Sequence, residues 1–173
     1  MKNPALLPAA VTTLAGILAL MSPRSLNAGD SADPIYVTSI PAGYRDWKLI
    51  SVSHEAGNLN SIGAVLGNDV AIKAYREGKL PYPDGAIIAA LHYTHSASAE
   101  NNKVFGKEQS FVAGTPTNIQ FMVKDSVKYA ATGGWGFATF VDGKPAPAAS
   151  MKSCFPCHNQ AKSSDLVFTR YAP

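Results

Sequence analysis

The amino-acid sequence predicts a mainly β fold of the α+β class: an antiparallel β-sheet or sandwich of about seven strands, with a few short helices and a C-terminal helix. Three observations predict this fold. Short apolar or alternating segments recur along the chain, turns rich in Gly and Pro separate them, and only three short segments carry helical signals.

Residues 1–28 have the pattern of a secretory signal peptide. Lys2 supplies a positive start, residues 5–21 are apolar, and Leu26-Asn27-Ala28 offers a cleavage site. A retained membrane anchor is the alternative, but the apolar run is shorter than the ~20 residues that a spanning helix needs. We therefore predict a signal peptide at 1–28, one domain at 29–173, export to the periplasm and no membrane attachment after cleavage.

The charge balance argues against a nucleic-acid-binding protein. The chain has 15 Lys and Arg against 12 Asp and Glu, and cleavage of residues 1–28 would remove Lys2 and Arg24. That leaves 13 basic against 12 acidic residues, a net charge near +1. Such a balance favours neither nucleic acid nor strong electrostatic binding to a membrane.

In the first half of the chain, alternating and apolar runs predict three strands, at 47–53, 62–66 and 86–93. A helix is predicted at 68–78, because Asn68 or Asp69 can cap its first turn and Gly78 is placed for a left-handed C-terminal cap. The Pro- and Gly-rich segment 81–85 forms a turn before the third strand.

In the second half, strands are predicted at 109–113, 119–123, 135–141 and 167–171, with a loop at 97–102 and a turn at 114–117. Asp125 can cap a short helix at 126–131, which Gly133 and Gly134 would end. Asp142-Gly143 predicts a hairpin turn. The last predicted helix lies within 149–160.

That last helix contains Cys154-Phe155-Pro156-Cys157-His158, a C-x-x-C-H motif typical of covalent haem c attachment. Two thiols at this spacing reach two vinyl groups on one edge of a porphyrin, and His158 then offers an axial imidazole to the iron. The sequence has only two Cys, so it lacks the second pair of a zinc site. A structural disulfide and an unmodified pair of thiols remain the alternatives.

Six stretches carry a family pattern in their order along the chain: 68–75, 83–86, 122–125, 133–137, 154–158 and 165–171. Together they resemble the cytochrome P-460 family, from about Tyr44 to the end of the chain. The haem motif followed by Val-Phe-Thr-Arg-Tyr is the most specific part of this resemblance.

The resemblance implies a periplasmic, mainly β homodimer with one five-coordinate haem c per chain and His158 as the proximal ligand. Founding members of the family oxidise hydroxylamine. Their relatives, the cytochromes c′-β, bind nitric oxide and similar gases without the same catalysis. A periplasmic electron carrier is the expected protein partner.

Two departures from the catalytic members leave a hydroxylamine or nitric oxide oxidoreductase activity open. The resemblance implies that these members carry a Lys bonded to the porphyrin rim, and the matching position here is Ala90, which has no amine. A carboxylate that can accept a proton in those members is matched by Gln120, whose amide can hydrogen-bond a ligand but cannot act as a general base.

Other residues have two interpretations each. His92 is either a distal donor or sixth iron ligand, or an ordinary sheet histidine, which we favour. Arg170 either pairs with a haem propionate or forms a surface salt bridge. Trp135 and Phe137 are interpreted as core residues rather than haem contacts.

The sequence therefore predicts a c-type haem protein that binds small nitrogen ligands such as nitric oxide and hydroxylamine. One alternative is a hydroxylamine-oxidising enzyme. The other is an electron-transfer cytochrome c, in which His92, Met122 or Met151 would be the sixth ligand of the iron.

Overall fold

The computed structural model describes Met1 and residues 36–172, so the predicted signal peptide at 1–28 lies outside the part of the chain that can be compared. The described chain forms one sheet of six strands, and every neighbouring pair is antiparallel. The strands are β1 (Lys48–Glu55), β2 (Ser61–Gly67), β3 (Ile87–Ala97), β4 (Phe111–Lys124), β5 (Trp135–Val141) and β6 (Lys144–Pro145). They lie side by side in chain order, which confirms the predicted mainly β class.

Four short helices accompany the sheet: α1 (Asp69–Glu77), α2 (Ala99–Phe105), α3 (Ala148–Met151) and α4 (Cys154–His158). Single turns of 3-10 helix occur at Tyr44–Asp46 and Ala130–Thr132, and a longer one at Asn159–Ser164. The helix predicted within 149–160 is thus divided between α3, α4 and the turn that follows them. The cysteine motif occupies the whole of α4.

Helix α1 begins and ends where the sequence predicts. The Asn68 side chain accepts the backbone N–H of Ala71 at 3.0 Å and also that of Ile87, the first residue of β3, at 3.1 Å. Its amide donates to the carbonyl of Gly85 at 2.8 Å. Gly78 ends the helix in the left-handed conformation at φ 61°. Asn68 therefore joins the start of α1 to the start of β3.

Two predictions for 97–123 are wrong. The expected loop at 97–102 is mostly helix α2, because Ser98 accepts the backbone N–H of Asn101 and caps it. The expected turn at 114–117 lies inside the single long strand β4. Pro116 is tolerated there because the pairing with β3 is irregular on both sides of Tyr93, its partner.

Two further predictions are wrong near the C-terminal half of the sheet. Asp125 accepts the N–H groups of Val127 and Lys128, but the predicted helix at 126–131 shortens to turns and the 3-10 segment Ala130–Thr132. The segment 167–171 is not a strand, because Asp165 and Leu166, at φ 50° and 67°, turn the chain away from the sheet. Residues 36–172 therefore contain six strands, including the unpredicted β6 after the Asp142-Gly143 turn.

The sheet carries a different buried cluster on each face, because successive strand residues point to opposite sides. One cluster joins the sheet to α1 and the C-terminal segment and includes Ile50, Val65, Ala71, Ile72, Ile88, Met122, Trp135, Phe137, Leu166 and Val167. The second consists of Ala89, Leu91, Phe121, Ala138 and Phe140, covered by the chain that precedes β1. Trp135 is a core residue, as predicted, with 0% of its surface exposed. Phe137 is also buried, at 2% exposed, but it lines the cavity described below, so the expectation that it stays away from the site is wrong.

Within the residues that the structure describes, no helix combines the length and apolar character that crossing a membrane requires.

Replacing Asn68 by Ala is expected to lower the free energy of unfolding by about 2–3 kcal/mol. The change removes a helix cap, worth roughly 0.5–2 kcal/mol, and the hydrogen bonds to Ile87 and Gly85 with it. Urea denaturation measures the difference. The matched control is Ser98→Ala, which removes only the cap of α2 and is expected to cost about 1 kcal/mol or less. Equal losses in the two variants would contradict the assigned role of Asn68.

The turn before β3 contains a carboxylate whose pKa makes stability depend on pH. The Asp84 carboxylate accepts the hydroxyl and backbone N–H of Ser126, at 2.6 and 2.8 Å, and these bonds lower its pKa. A group whose pKa is lowered by folding stabilises the protein above its unfolded pKa, and this contribution is lost as the pH falls below about 4. Asp84→Asn should therefore destabilise the protein at pH 7 and flatten the acid limb of its stability curve. Urea midpoints between pH 3 and pH 7 test this, and an acid limb as steep as in wild type would contradict it.

Candidate haem site

A cavity lies between one face of the sheet and the C-terminal segment, and its empty space of about 760 Å³ includes the part that is open to solvent. Its sheet wall comes from β1 to β5, and its other wall comes from α4 and from Val167, Phe168 and Thr169. The predicted strand at 167–171 is thus part of a cavity wall instead of the sheet.

Helix α4 presents part of the cysteine motif to this cavity. Cys154 and His158, one helical turn apart, both line it, while Cys157 is exposed beside them. Both cysteines are free thiols in the structure, which does not support the disulfide alternative. Burial raises the pKa of the Cys154 thiol, so this group is protonated at neutral pH.

The His158 ring is held in one orientation. Its Nδ1 lies 2.8 Å from the carbonyl oxygen of Leu166, and because a carbonyl only accepts, Nδ1 carries the hydrogen. The ring packs between Phe137 and Phe168, with centroids 5.0 and 5.1 Å away. Burial lowers the pKa of His158, although the bond to Leu166 opposes this shift. The imidazole is therefore neutral at pH 7 and its Nε2 is a lone-pair donor, as a metal ligand must be.

The carbonyl that holds His158 belongs to a segment anchored by a buried ion pair. Lys124, the last residue of β4, binds both carboxylate oxygens of Asp165 at 2.9 and 2.8 Å. The two side chains are 6% and 14% exposed. Asp165 directly precedes Leu166, so the ion pair connects the sheet to the residue that orients His158.

The sheet wall of the cavity is largely apolar. Val65, Ile88, Ala90 and Met122 line it, and Ala90 is paired in register with Gln120 across β3 and β4. His158 packs on Phe137 of β5, two strands away from Ala90, which corresponds to roughly 10 Å at ~4.8 Å per strand. Most of the side chains on this wall are apolar, and Met122 adds a thioether.

One end of the cavity is polar and open to solvent. His92, Gln120, Ser53 and Glu55 line it. The Nδ1 of His92 lies 3.3 Å from the hydroxyl of Ser61, and the Gln120 amide donates to Asn118 at 3.2 Å. Hydrogen-bonding groups thus surround the mouth of an apolar cavity.

The structure brings most of the predicted site residues together. Ala90, His92, Gln120, Cys154 and His158 line the same cavity, and so does Met122. Cys157 lies on the same helix, whereas Arg170 is exposed and Met151 is buried, and neither is among the residues that line the cavity. The propionate contact of Arg170 stays a prediction.

Sequence reasoning missed Ser61, Glu55 and Phe168 at this site. Glu55 lies on an edge strand far from the motif in sequence, and only the pairing of β1, β2 and β3 places it on the same cavity as His92. Phe168 belongs to the specific Val-Phe-Thr-Arg-Tyr stretch, and this signal could have identified it as a neighbour of the motif.

The residues present fit a haem. Among the described residues no group of three or more His, Cys, Asp or Glu side chains is placed to hold a metal ion. One neutral imidazole in an apolar cavity instead suits a metal whose equatorial ligands come from a macrocycle. The free thiols of Cys154 and Cys157 lie on the same helix as this imidazole, where they can bond to the macrocycle edge.

Comparison with known proteins identifies one family. The family described as Cytochrome P460 matches residues 41–169, a range that includes all six strands and the cysteine motif. No curated protein matches the chain.

Proposed function

The chain belongs to the cytochrome P460 family, so it is a haem protein, and we propose that it is a c-type haem protein that binds small nitrogen ligands in the periplasm. Nitric oxide and hydroxylamine are the ligands that the family resemblance suggests. The family match confirms the resemblance seen in the sequence. The covalent attachment, the ligand and the location are the parts that we propose.

In this proposal Cys154 and Cys157 hold one haem per chain through two thioether bonds, and His158 ligates the iron. The observation that carries the proposal is the asymmetry of the cavity. On one side, the imidazole of His158 is fixed by its bond to Leu166 at 2.8 Å. The sheet wall, in contrast, is mostly apolar: Val65, Ile88 and Ala90 carry no group that ligates iron, and Met122 is the thioether that the electron-transfer alternative would use. In this proposal Met122 does not bind the iron, which leaves one position for a small ligand.

Ala90 supports ligand binding over catalysis. The resemblance implies a Lys bonded to the porphyrin at this position in the catalytic members, and a methyl group supplies no such bond. The position of Ala90 on the cavity wall supports this interpretation. In this chain only the two thioethers and His158 would hold the haem.

The polar mouth of the cavity would orient the ligand. His92, positioned by Ser61, and Gln120, positioned by Asn118, can each donate a hydrogen bond to a ligand that carries oxygen or nitrogen. Haem, when bound, supplies an open iron position and the ability to exchange an electron. The chain's own residues hold the cofactor, exclude water from the apolar wall and hydrogen-bond the ligand.

The location and partners of the protein are also proposals. The signal-like pattern of residues 1–28 and the export that thioether formation requires support a periplasmic protein. A homodimer, as the family resemblance implies, and exchange of electrons with a periplasmic carrier complete the proposal. The domain would comprise residues 29–173.

Intact mass and optical spectra of the purified protein test the proposal. We expect the mass of residues 29–173 plus one haem, a five-coordinate ferric spectrum without a red-shifted cross-link band, and a spectral change on adding nitric oxide. Cys154→Ser with Cys157→Ser should abolish covalent haem, while Met151→Leu, which alters no cavity residue, should leave both readouts unchanged. A six-coordinate low-spin spectrum in the absence of ligand would contradict the proposal and favour an electron-transfer cytochrome.

Glu55 favours a second candidate function, the oxidation of hydroxylamine. Gln120 cannot accept a proton, but the carboxylate of Glu55 lines the same cavity. In this candidate, Glu55 Oε would accept a proton from hydroxylamine bound in the cavity, and a periplasmic electron carrier would receive the electrons.

Steady-state turnover of hydroxylamine with an artificial electron acceptor distinguishes the two candidates. If Glu55 is the base, Glu55→Gln should reduce kcat by roughly 100-fold, the scale of general-base catalysis, without changing the haem spectrum. The control is Glu77→Gln on α1, which lies outside this cavity. Wild-type holo-protein without turnover would eliminate this candidate and leave ligand binding.

A further inference from the structure

We infer that Lys124 and Asp165 are a positioning pair for His158: their ion pair holds the Leu166 carbonyl in place, and this carbonyl orients the imidazole that faces the cavity. The inference rests on the proposed ligation of haem iron by His158. Neither residue lines the cavity, so their effect on it passes through the backbone of Leu166.

The Lys124 ammonium group is fully satisfied by fixed partners. It donates to both oxygens of Asp165, at 2.9 and 2.8 Å, and to the carbonyl of Gly133 at 3.1 Å. These three acceptors match the three hydrogens of an ammonium group. Its Nζ also lies 5.0 Å from the centroid of the buried Trp135 ring. The cation has one position, set by the ends of β4 and β5.

Asp165 is held from two directions. Besides the bonds from Lys124, its Oδ2 accepts the backbone N–H of Tyr82 at 2.8 Å. Lys124 belongs to the sheet and Tyr82 to the turn before β3, so the carboxylate joins two elements to the C-terminal segment. With a side chain that is 14% exposed, the ion pair is shielded from solvent and salt.

The backbone at this point adopts a conformation that needs such support. Asp165 and Leu166 are consecutive non-glycine residues at φ 50° and 67°. Clashes of Cβ make this left-handed region unfavourable, and residues remain there only where their surroundings impose it. The anchored carboxylate, the N–H of Leu166 bonded to Ala161 at 2.9 Å, and the buried Leu166 side chain impose it here.

This turn points the Leu166 carbonyl at His158 Nδ1, 2.8 Å away. The bond decides which ring nitrogen carries the hydrogen, and it raises the basicity of the other nitrogen. Phe137 and Phe168 limit the tilt of the ring, but aromatic packing does not select a tautomer. The ion pair therefore bears on the strength of the bond that His158 would make to iron.

Strand β4 contributes both to the cavity wall and to the ion pair that anchors the C-terminal segment. Gln120, Met122 and Lys124 alternate along it and share one face of the sheet. The first two line the cavity, and the third anchors the segment that forms the opposite wall. One strand thus sets the positions of both walls relative to each other.

Asp165→Asn, Lys124→Met and the double variant, each as haem-loaded protein, test the inference. The readout is the iron–histidine stretching band of the ferrous protein in resonance Raman spectra. We expect all three variants to shift this band to lower frequency and to raise the reduction potential, because the Nδ1–H bond weakens. Lys48→Met, which breaks an ion pair whose side chains are 58% and 86% exposed, should leave both values unchanged.

The double variant distinguishes an effect on His158 from a loss of folding stability. Each single change leaves a buried charge without its partner, whereas the double change removes both charges and should restore most of the stability. A merely structural pair would lower the unfolding midpoint of the variants and leave the band in place, and that result would overturn the inference. A wild-type protein without any iron–histidine band would instead refute the proposed ligation by His158.

Discussion

The hydrogen bond from His158 Nδ1 to the Leu166 carbonyl is the interaction on which the candidate site depends. Packing of Phe137 and Phe168 against the ring limits the tilt of the imidazole, but this bond fixes which ring nitrogen carries the hydrogen. The carbonyl is positioned by the left-handed turn at Asp165 and Leu166, which the buried ion pair to Lys124 supports. The position of the imidazole is thus determined at the end of the sheet.

The two faces of the sheet pack against different parts of the chain. One face packs against the chain that precedes β1 and forms a conventional apolar cluster around Phe121 and Phe140. The other face carries α1, the C-terminal segment and the cavity. Because side chains alternate along each strand, Ile88 and Ala90 face the cavity while Ala89 and Leu91 support it from behind. The sheet wall of the cavity is therefore backed by a buried apolar cluster.

The side chains that line the cavity change from apolar to polar along its length. Near α4 lies a neutral imidazole between two aromatic rings, and the middle of the sheet wall is apolar. At the open end are His92, Glu55 and Gln120, which can hydrogen-bond or accept a proton. A small polar ligand of a haem would meet apolar groups beside the iron and polar groups towards solvent. This gradient is consistent both with ligand binding and with the second candidate, which differ in the role of Glu55.

The sequence by itself determined the features that are local. Alternation predicted most of the strands, the Asn68 and Gly78 caps predicted α1, and the motif at Cys154–His158 predicted the cofactor class, because each signal lies within a few neighbouring residues. Predictions from the sequence were wrong where contacts between distant residues determine the structure. Pro116 lies within β4 because the pairing with β3 is irregular there, and residues 167–171 do not join the sheet. The tertiary structure alone placed Ser61 beside His92 and Glu55 on the same cavity, since strand register brings together residues that are distant in sequence. It alone joined Lys124 to Asp165, because a buried charge needs a partner and the fold decides which one is near.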